Sequence, residues 1–387
     1  MTVPSTPEVS APPEAPVPAP VAAVPPPTGP VTFPLGWLLD HAAPPIQYRA
    51  MIEVARGGNA IASQISALPY THRPALTLAM TQATDGTWFD SMITVPGKKG
   101  GEFEGVGTVH AFRRLLEYGW DKDSPPLLRA RRVLFRLLAE DDDPAYLFEL
   151  AEKGGTSLDA ARRGRGVLRE AAAAALAQAG YEGDPRLRGA ARRITTRIAE
   201  YLRSPLAEKP FVRVGNQHVL PAEAYPPSIF ALIMLAHMPL FRNEHHDQLD
   251  RIFQWVSQPM PRQESVQMWG TKAVPAPYLI LGDPLPHRNA ADADVPFALL
   301  WLELMARLNF LRRNEGWSRL FERFLDDRNR DGIWHPHKGM VAPTSENPMV
   351  WASYPLEAQG SGEERWTDIT FRLGLIARLS GRPIELI

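Results

Sequence analysis

"QATDGTW", residues 82–88, and "RNRDGIW", residues 328–334, write Asp-Gly-x-Trp twice in a chain of 387 residues. Each closes an apolar helical run. Aligning them sets Asp85, Gly86 and Trp88 against Asp331, Gly332 and Trp334, and each is followed, after a loop, by a matching segment: "TVHAFR" at 108–113 and "TDITFR" at 367–372. The ordered recurrence of helix, turn, loop and helix points to internal repetition. The physics of the turn is simple. Glycine takes the left-handed conformation that ends a helix, the preceding Asp tolerates a turn, and the Trp swings back toward the neighbouring helix. A fully covered Trp contributes about 2–3 kcal/mol. The motif reads as a clasp between helical hairpins.

Working outward, the pattern is helical nearly throughout. "TVHAFRRLLEYG" places Val109, Phe112, Leu115 and Leu116 at three-to-four residue spacing, with Thr108 as the expected N-cap and Gly119 as the C-terminal cap. Ser124 before Pro125 starts another helix, and further helices are expected at 228–238, 245–256, 296–312, 316–326 and 366–380. Long connections at 204–226, 257–293 and 335–364 interrupt them; loops of that length in a compact domain serve ligands or partners.

Residues 1–34 hold twelve prolines, two charges (Glu8 and Glu14) and little large apolar surface besides Phe33, so a disordered, Pro-rich arm is expected there. The remaining 35–387 are long enough for one large helical domain. With 42 basic and 43 acidic residues, no global field steers the chain toward nucleic acid, which is not expected as a partner. The absence of cysteine removes disulfides, thiolate nucleophiles and thiolate zinc sites, and fits a reducing cytoplasm. The first basic residue is Arg49, so no secretory signal is read. The longest apolar run, "SIFALIMLAHMPLF" at 228–241, is broken by His237 and Pro239 and is too short for a transmembrane segment.

"QATDGTW" resembles the glutamine-tryptophan repeat of squalene-hopene cyclases and their relatives, with Gln82, Gly86 and Trp88 matching; at the second site Arg328 stands in place of Gln. The layout from about 36 to 140, and again from about 315 to 381, is similar to the prenyltransferase and squalene-oxidase repeat group. The resemblance implies an all-α fold, an α/α toroid in which inner helices line a central cavity and outer helices surround them. It also implies that the Gln links adjacent outer helices. A fold of this kind does not by itself transfer a reaction.

Class II terpenoid cyclases protonate an alkene with the middle acid of Asp-x-Asp-Asp at an inner-helix start. Here "AADADVPF" offers Asp292 and Asp294 followed by Val295, so Asp294 is the candidate acid, Asp292 its partner, and the fourth Asp is missing. Such an acid needs burial and neighbours that hold it protonated. A helix start instead favours the ionised form, and Asp294 before Pro296 also reads as an N-cap. Trp255, Trp269, Trp301, Trp351, Tyr278 and Tyr354 are candidates for stabilising a cation if they converge on one cavity, and core residues otherwise.

Metal chemistry finds little support. "LDDRNRDG" imitates a calcium loop at Asp327, Asn329, Asp331 and Gly332, but its twelfth position is Lys338. His335 with His337, and His245 with His246, lack zinc-helix spacing, and Asp141, Asp142 and Asp143 read as a solvated turn. No cofactor or metal is expected. The sequence therefore leads to a toroid that binds or scaffolds, with an isoprenoid or other apolar small molecule, or a protein held by the long loops or the arm, as partner. The alternative is a class II cyclase-like enzyme acting on an isoprenoid, and a carbohydrate-active toroid with a carboxylate pair is a third reading.

Overall fold

The structure is a computed structural model that describes residues 29–387 apart from 98, 140–144, 152, 154–157, 262, 337–338, 359 and 361. Residues 1–28 of the expected arm, the Asp141–Asp143 turn, His337 and Lys338 lie outside the described residues. The early helices are α1 (Leu35–His41), α2 (Pro44–Arg49, continued by a π turn at Ala50–Val54), α3 (Asn59–Ile65), α4 (Arg73–Met80), α5 (Thr108–Glu117) and α6 (Pro125–Leu137). Then come α7 (Leu158–Gln178), α8 (Pro185–Arg203), α9 (Pro205–Glu208), α10 (Ile229–Ala236), α11 (Pro239–Glu244) and α12 (His246–Val256). The chain ends with α13 (Arg288–Ala293), α14 (Val295–Arg307), α15 (Glu315–Asp326) and α16 (Thr367–Leu379). Six short strands make three two-stranded sheets: β1 (Val31–Phe33) beside β6 (Ile384–Leu386), β2 (Val212–Val214) with β3 (Gln217–Val219), and β4 (Val266–Trp269) with β5 (Lys272–Pro275).

Helix starts follow side-chain capping. Asp184, Ser228, Asp294 and Asn314 each accept a backbone N–H two or three residues on, which satisfies a donor that the first helical turn leaves open. Every residue of α10 is buried, and Pro239 follows to stop it. Two of the long connections, 204–226 and 257–293, carry the β2–β3 and β4–β5 hairpins, so they are not structureless.

Two classes of helix alternate along the chain. In α5, α10, α14 and α16 nearly every side chain is buried, charged ones included, whereas α6, α8, α12 and α15 bury one face. The buried helices pack in chain order, α5 on α7, α7 on α10, α10 on α14 and α14 on α16, and α16 then lies on the π turn after α2. Strand β1 pairs in parallel with β6, joining the start and end of the described chain. The folded part therefore begins at Val31, not Leu35: Val31 and Phe33 are 1% exposed, and Phe33 fills the space left by Gly374, where a Cβ would come within 2.3 Å of its ring.

The two Trp turns share one hydrogen-bond pattern. The Ala83 amide donates to the Thr87 carbonyl (2.9 Å) and the Asn329 amide to the Ile333 carbonyl (2.8 Å), while Gly86 and Gly332 have φ of +92° and +76°. Gln82 Nε2 donates to the Pro126 carbonyl at the head of α6 (2.8 Å), and Arg328 Nη1 donates to the Thr32 carbonyl of β1 (2.7 Å). Arg328 thus ties its turn to the next element as Gln82 does. The Trp88 amide donates to Thr108 Oγ1 and the Trp334 amide to Thr370 Oγ1, each at 3.1 Å. This corrects two expectations. Gly107, not Thr108, is the N-cap of α5, and the counterpart of Thr108 is Thr370 rather than Thr367. A buried Trp amide without an acceptor is costly, so the hydroxyl is placed where that amide needs it.

Candidate functional site

The interior between the buried helices is ionic. Arg49 pairs with Glu53 (2.5 Å) and Glu117, Arg372 with Glu303 (3.2 Å) and Asp368 (3.0 Å), and Arg307 with Glu303 (2.9 Å). Gln178 bridges the cluster, donating to Glu117 (2.6 Å) and accepting from Arg113 Nε (2.8 Å). Burial pushes the Glu303 carboxyl up, but Arg307, Arg372 and Arg49 outweigh it and bring it down to about 2. Helix α5 contributes Arg113 and Glu117 to this cluster. Paired buried charges hold helices in register more than they add net stability.

Beside this cluster lies a cavity of about 690 Å³, walled by the loop before α5, by Arg114 of α5 and Tyr118 just after it, by His72, and by the segment 344–358. That segment is held from several sides. Arg114 donates to the carbonyls of Trp351 (2.9 Å) and Pro355, and Arg372 to the carbonyl of Ser353. Asp368 accepts the Leu356 amide (2.6 Å), and Ser345 Oγ donates to Asp294 Oδ2 (2.6 Å). The chain could only be drawn over the helix ends in this way because the buried helices carry charges that reach its backbone.

Asp294 and Asp292 stand apart. Asp294 Oδ1 accepts the Phe297 amide (2.9 Å), so it caps α14, and its other oxygen anchors Ser345. The Asp292 carboxylate is 45% exposed and pairs with Arg288 (3.3 Å) and Arg323 (2.5 Å). Both carboxylates are committed, Asp292 to two arginines and Asp294 to a backbone N–H and a hydroxyl, and Asp294 positions the cover of the cavity.

A carboxyl that holds its proton is on a residue that sequence reasoning missed. Glu357 lines the cavity, accepts the Ala43 amide (2.5 Å), and contacts the Thr367 hydroxyl. Burial, with Asp368 and Glu364 adding repulsion against the Ala43 hydrogen bond, raises its carboxyl to about 8. His72, on the same wall, is lowered to about 4 by burial and by Arg114, and is neutral at physiological pH. His72 Nε2 and Arg114 Nε are buried without hydrogen-bond partners among the described residues. Arg114 itself is sandwiched, its guanidinium 4.7 Å from the Tyr118 ring centre and 5.3 Å from that of Trp351.

Of the six aromatic candidates only Trp351 and Tyr354 reach this cavity. Trp255 donates to the Ile280 carbonyl (2.8 Å), and Trp301 is core, edge-on to Trp317 at 6.0 Å. Trp269 and Tyr278 line a different cleft, described below. His245 stacks on Phe241 at 4.0 Å and His335 lies edge-on to Trp366. Among the described residues no group of three or more His, Asp or Glu side chains could hold a metal ion, and no helix is long and apolar enough to cross a membrane.

The signal for part of this site was present in the sequence: a single Glu, Glu303, inside the apolar run "LLWLELMARL" demands a buried cation. Glu357 has no such signature, because its raised carboxyl comes from burial and from the charges of Asp368 and Glu364. Comparison with family models, with curated proteins and with solved structures returned no match.

Proposed function

We propose that the chain closes into an α/α toroid and works as a binding module for an apolar small molecule of isoprenoid type. Four outer–inner pairs in contact support the ring: α1 with α2 and its π turn, α4 with α5, α6 with α7, and α8 with α10. The matched Trp turns and the β1–β6 pairing across the chain ends support closure. The observation that carries the ligand is the cavity itself. Its volume suits a small molecule, and its wall sets Pro74, Pro96, Phe103, Trp351 and Tyr354 around a few polar atoms. Trp351, half-buried on that wall, supplies the readout. Titration with an acyclic isoprenoid alcohol is expected to change tryptophan emission saturably in the native chain and not in Trp351→Phe, and to raise the thermal midpoint of both. Absence of saturation together with an unmoved midpoint refutes the reading.

A class II cyclase-like reaction is the second reading, and one observation favours it: Glu357 keeps its proton to about pH 8 on the wall of an aromatic cavity. In that reading Glu357, not Asp294, is the acid. Product analysis after incubation with an acyclic isoprenoid tests it, since Glu357→Gln abolishes conversion and Asp294→Asn leaves it measurable. No conversion by the native chain leaves the binding module as the function.

A further inference from the structure

A second cleft, of about 580 Å³, opens between α7, α8 and the β4–β5 hairpin. It shares no lining residue with the cavity under the 344–358 segment. Its chemistry is also different. Arg163 of α7 and Arg197 of α8 line it, and among the described residues neither has a hydrogen-bond or ion-pair partner; Arg197 lies over the Tyr225 ring at 4.2 Å. Arg163 is half-buried and Arg197 exposed, and elsewhere among the described residues the half-buried and buried arginines are committed. Arg49, Arg307, Arg372 and Arg382 are paired with carboxylates, and Arg165 and Arg169, on the same helix as Arg163, donate to the carbonyls of Arg136 (3.1 Å) and Ala139 (2.7 Å).

Three carboxylates line the cleft, the exposed Asp159 and Glu223 and the buried Glu170, and the buried one is occupied. Glu170 is buried, and its two oxygens take the hydroxyls of Tyr225 and Ser228. Ser228 in turn caps α10 through the Ala231 amide (3.0 Å). Glu170 therefore fixes Tyr225, the ring under Arg197, without coming within ion-pair distance of either arginine. The wall also holds donors that lack partners. Tyr278 is 7% exposed and Trp269 is 1% exposed, and the Tyr278 hydroxyl and Trp269 Nε1 have no hydrogen-bond partner among the described residues. A buried donor left unpaired costs about 1–3 kcal/mol, a cost that an acceptor on a ligand removes.

We infer that this cleft binds a small oxyanion-bearing molecule, its anionic group held between Arg163 and Arg197 and a further acceptor meeting the Tyr278 hydroxyl. Guanidinium forks match the oxygens of carboxylates and phosphates, and a partly enclosed cleft strengthens such charge-assisted bonds. The volume limits the ligand to metabolite size. The two sources of an oxyanion, an organic phosphate and a carboxylic acid, share this chemistry and are separated by the probes used.

Isothermal titration of the full chain with pyrophosphate and with succinate, each against sodium chloride at matched ionic strength, tests the site. Saturable binding of at least one probe is expected, weakened at least tenfold in Arg163→Gln and in Arg197→Gln, and less in Tyr278→Phe. Because neither arginine has a fold-internal hydrogen bond among the described residues, both variants should keep the native far-UV circular dichroism. If either does unfold, Arg197→Lys, which keeps the charge and loses the fork, is expected to weaken binding while folded. The inference is overturned if neither probe saturates above the chloride control, or if the affinity is unchanged in the folded arginine variants.

Discussion

Replacing Glu357 with Gln should flatten the pH dependence of stability. The Glu357 carboxyl is raised from 4.5 to about 8 by burial, with Asp368 and Glu364 adding to it. A raised acid favours the folded state while it is protonated. Its contribution is full below about pH 4.5, where the unfolded chain is protonated as well, and is lost as the pH climbs through about 8. At about 1.4 kcal/mol for each step of pH, the ceiling is about 5 kcal/mol. Partial solvent access lowers this to about 2 kcal/mol. With an unfolding entropy of about 2.1 cal/mol/K per residue over roughly 350 residues, 1 kcal/mol moves the midpoint by about 1.4 °C. Between pH 5 and pH 9 the native chain should therefore lose about 3 °C more than Glu357→Gln. The Gln side chain still accepts the Ala43 amide and carries no charge, so the difference between the two melting curves isolates this carboxyl from Asp368 and Glu364. Parallel pH profiles for the two proteins would refute the reasoning, since they would mean that Glu357 ionises freely in the folded state.

The Trp turns differ in tolerance. Ala at position 86 puts a Cβ 2.9 Å from the Arg129 carbonyl at a φ of +92°, whereas at 332 the nearest atom is the Thr32 oxygen at 3.1 Å. Urea denaturation should show Gly86→Ala costing about 2–4 kcal/mol and Gly332→Ala less, and the reverse order would count against the turn geometry. Asp294→Ala should cost about 1–2 kcal/mol through the lost cap, and hydrogen exchange should rise in 344–358 because Ser345 loses its acceptor. Asp292→Asn, at an exposed pair, should change stability by less than about 0.5 kcal/mol. Arg372→Met leaves Asp368 buried without its ion-pair partner and takes one of two from Glu303, and should cost about 3–5 kcal/mol; a variant as stable as the native chain would show that the central cluster is dispensable.

Much of the helical order was legible in the sequence because it is written at short range. The expected helices at 245–256, 316–326 and 366–380 lie within one residue of α12, α15 and α16 at each end, as periodicity, Asn314 and the Asp-Gly turns suggest. The repeated Trp turn was equally legible, since Gly86 and Gly332 act through their own φ and Gln82 and Arg328 through the next element. Two readings failed where the deciding partner is distant. Thr108 was placed as a cap because it precedes a helix, but its hydroxyl serves the Trp88 amide; Phe33 was assigned to the arm, but it packs at Gly374.

The candidate site was hidden for the same reason. Asp294 met the local pattern of an acid at a helix start, but its oxygens are taken by the Phe297 amide and the Ser345 hydroxyl. Glu357 sits in an irregular segment and holds its proton because the fold buries it and brings Asp368 and Glu364 near it, against the Ala43 hydrogen bond. Arg163 and Arg197 come from different helices and acquire a common cleft only when α7 and α8 pack beneath the β4–β5 hairpin. Local sequence determines which segments become helices and how each ends, because propensity, capping and turn conformation are short-range. Burial and the company of distant charges decide which carboxyl stays protonated and which arginine stays unpaired, and these exist only in the folded chain.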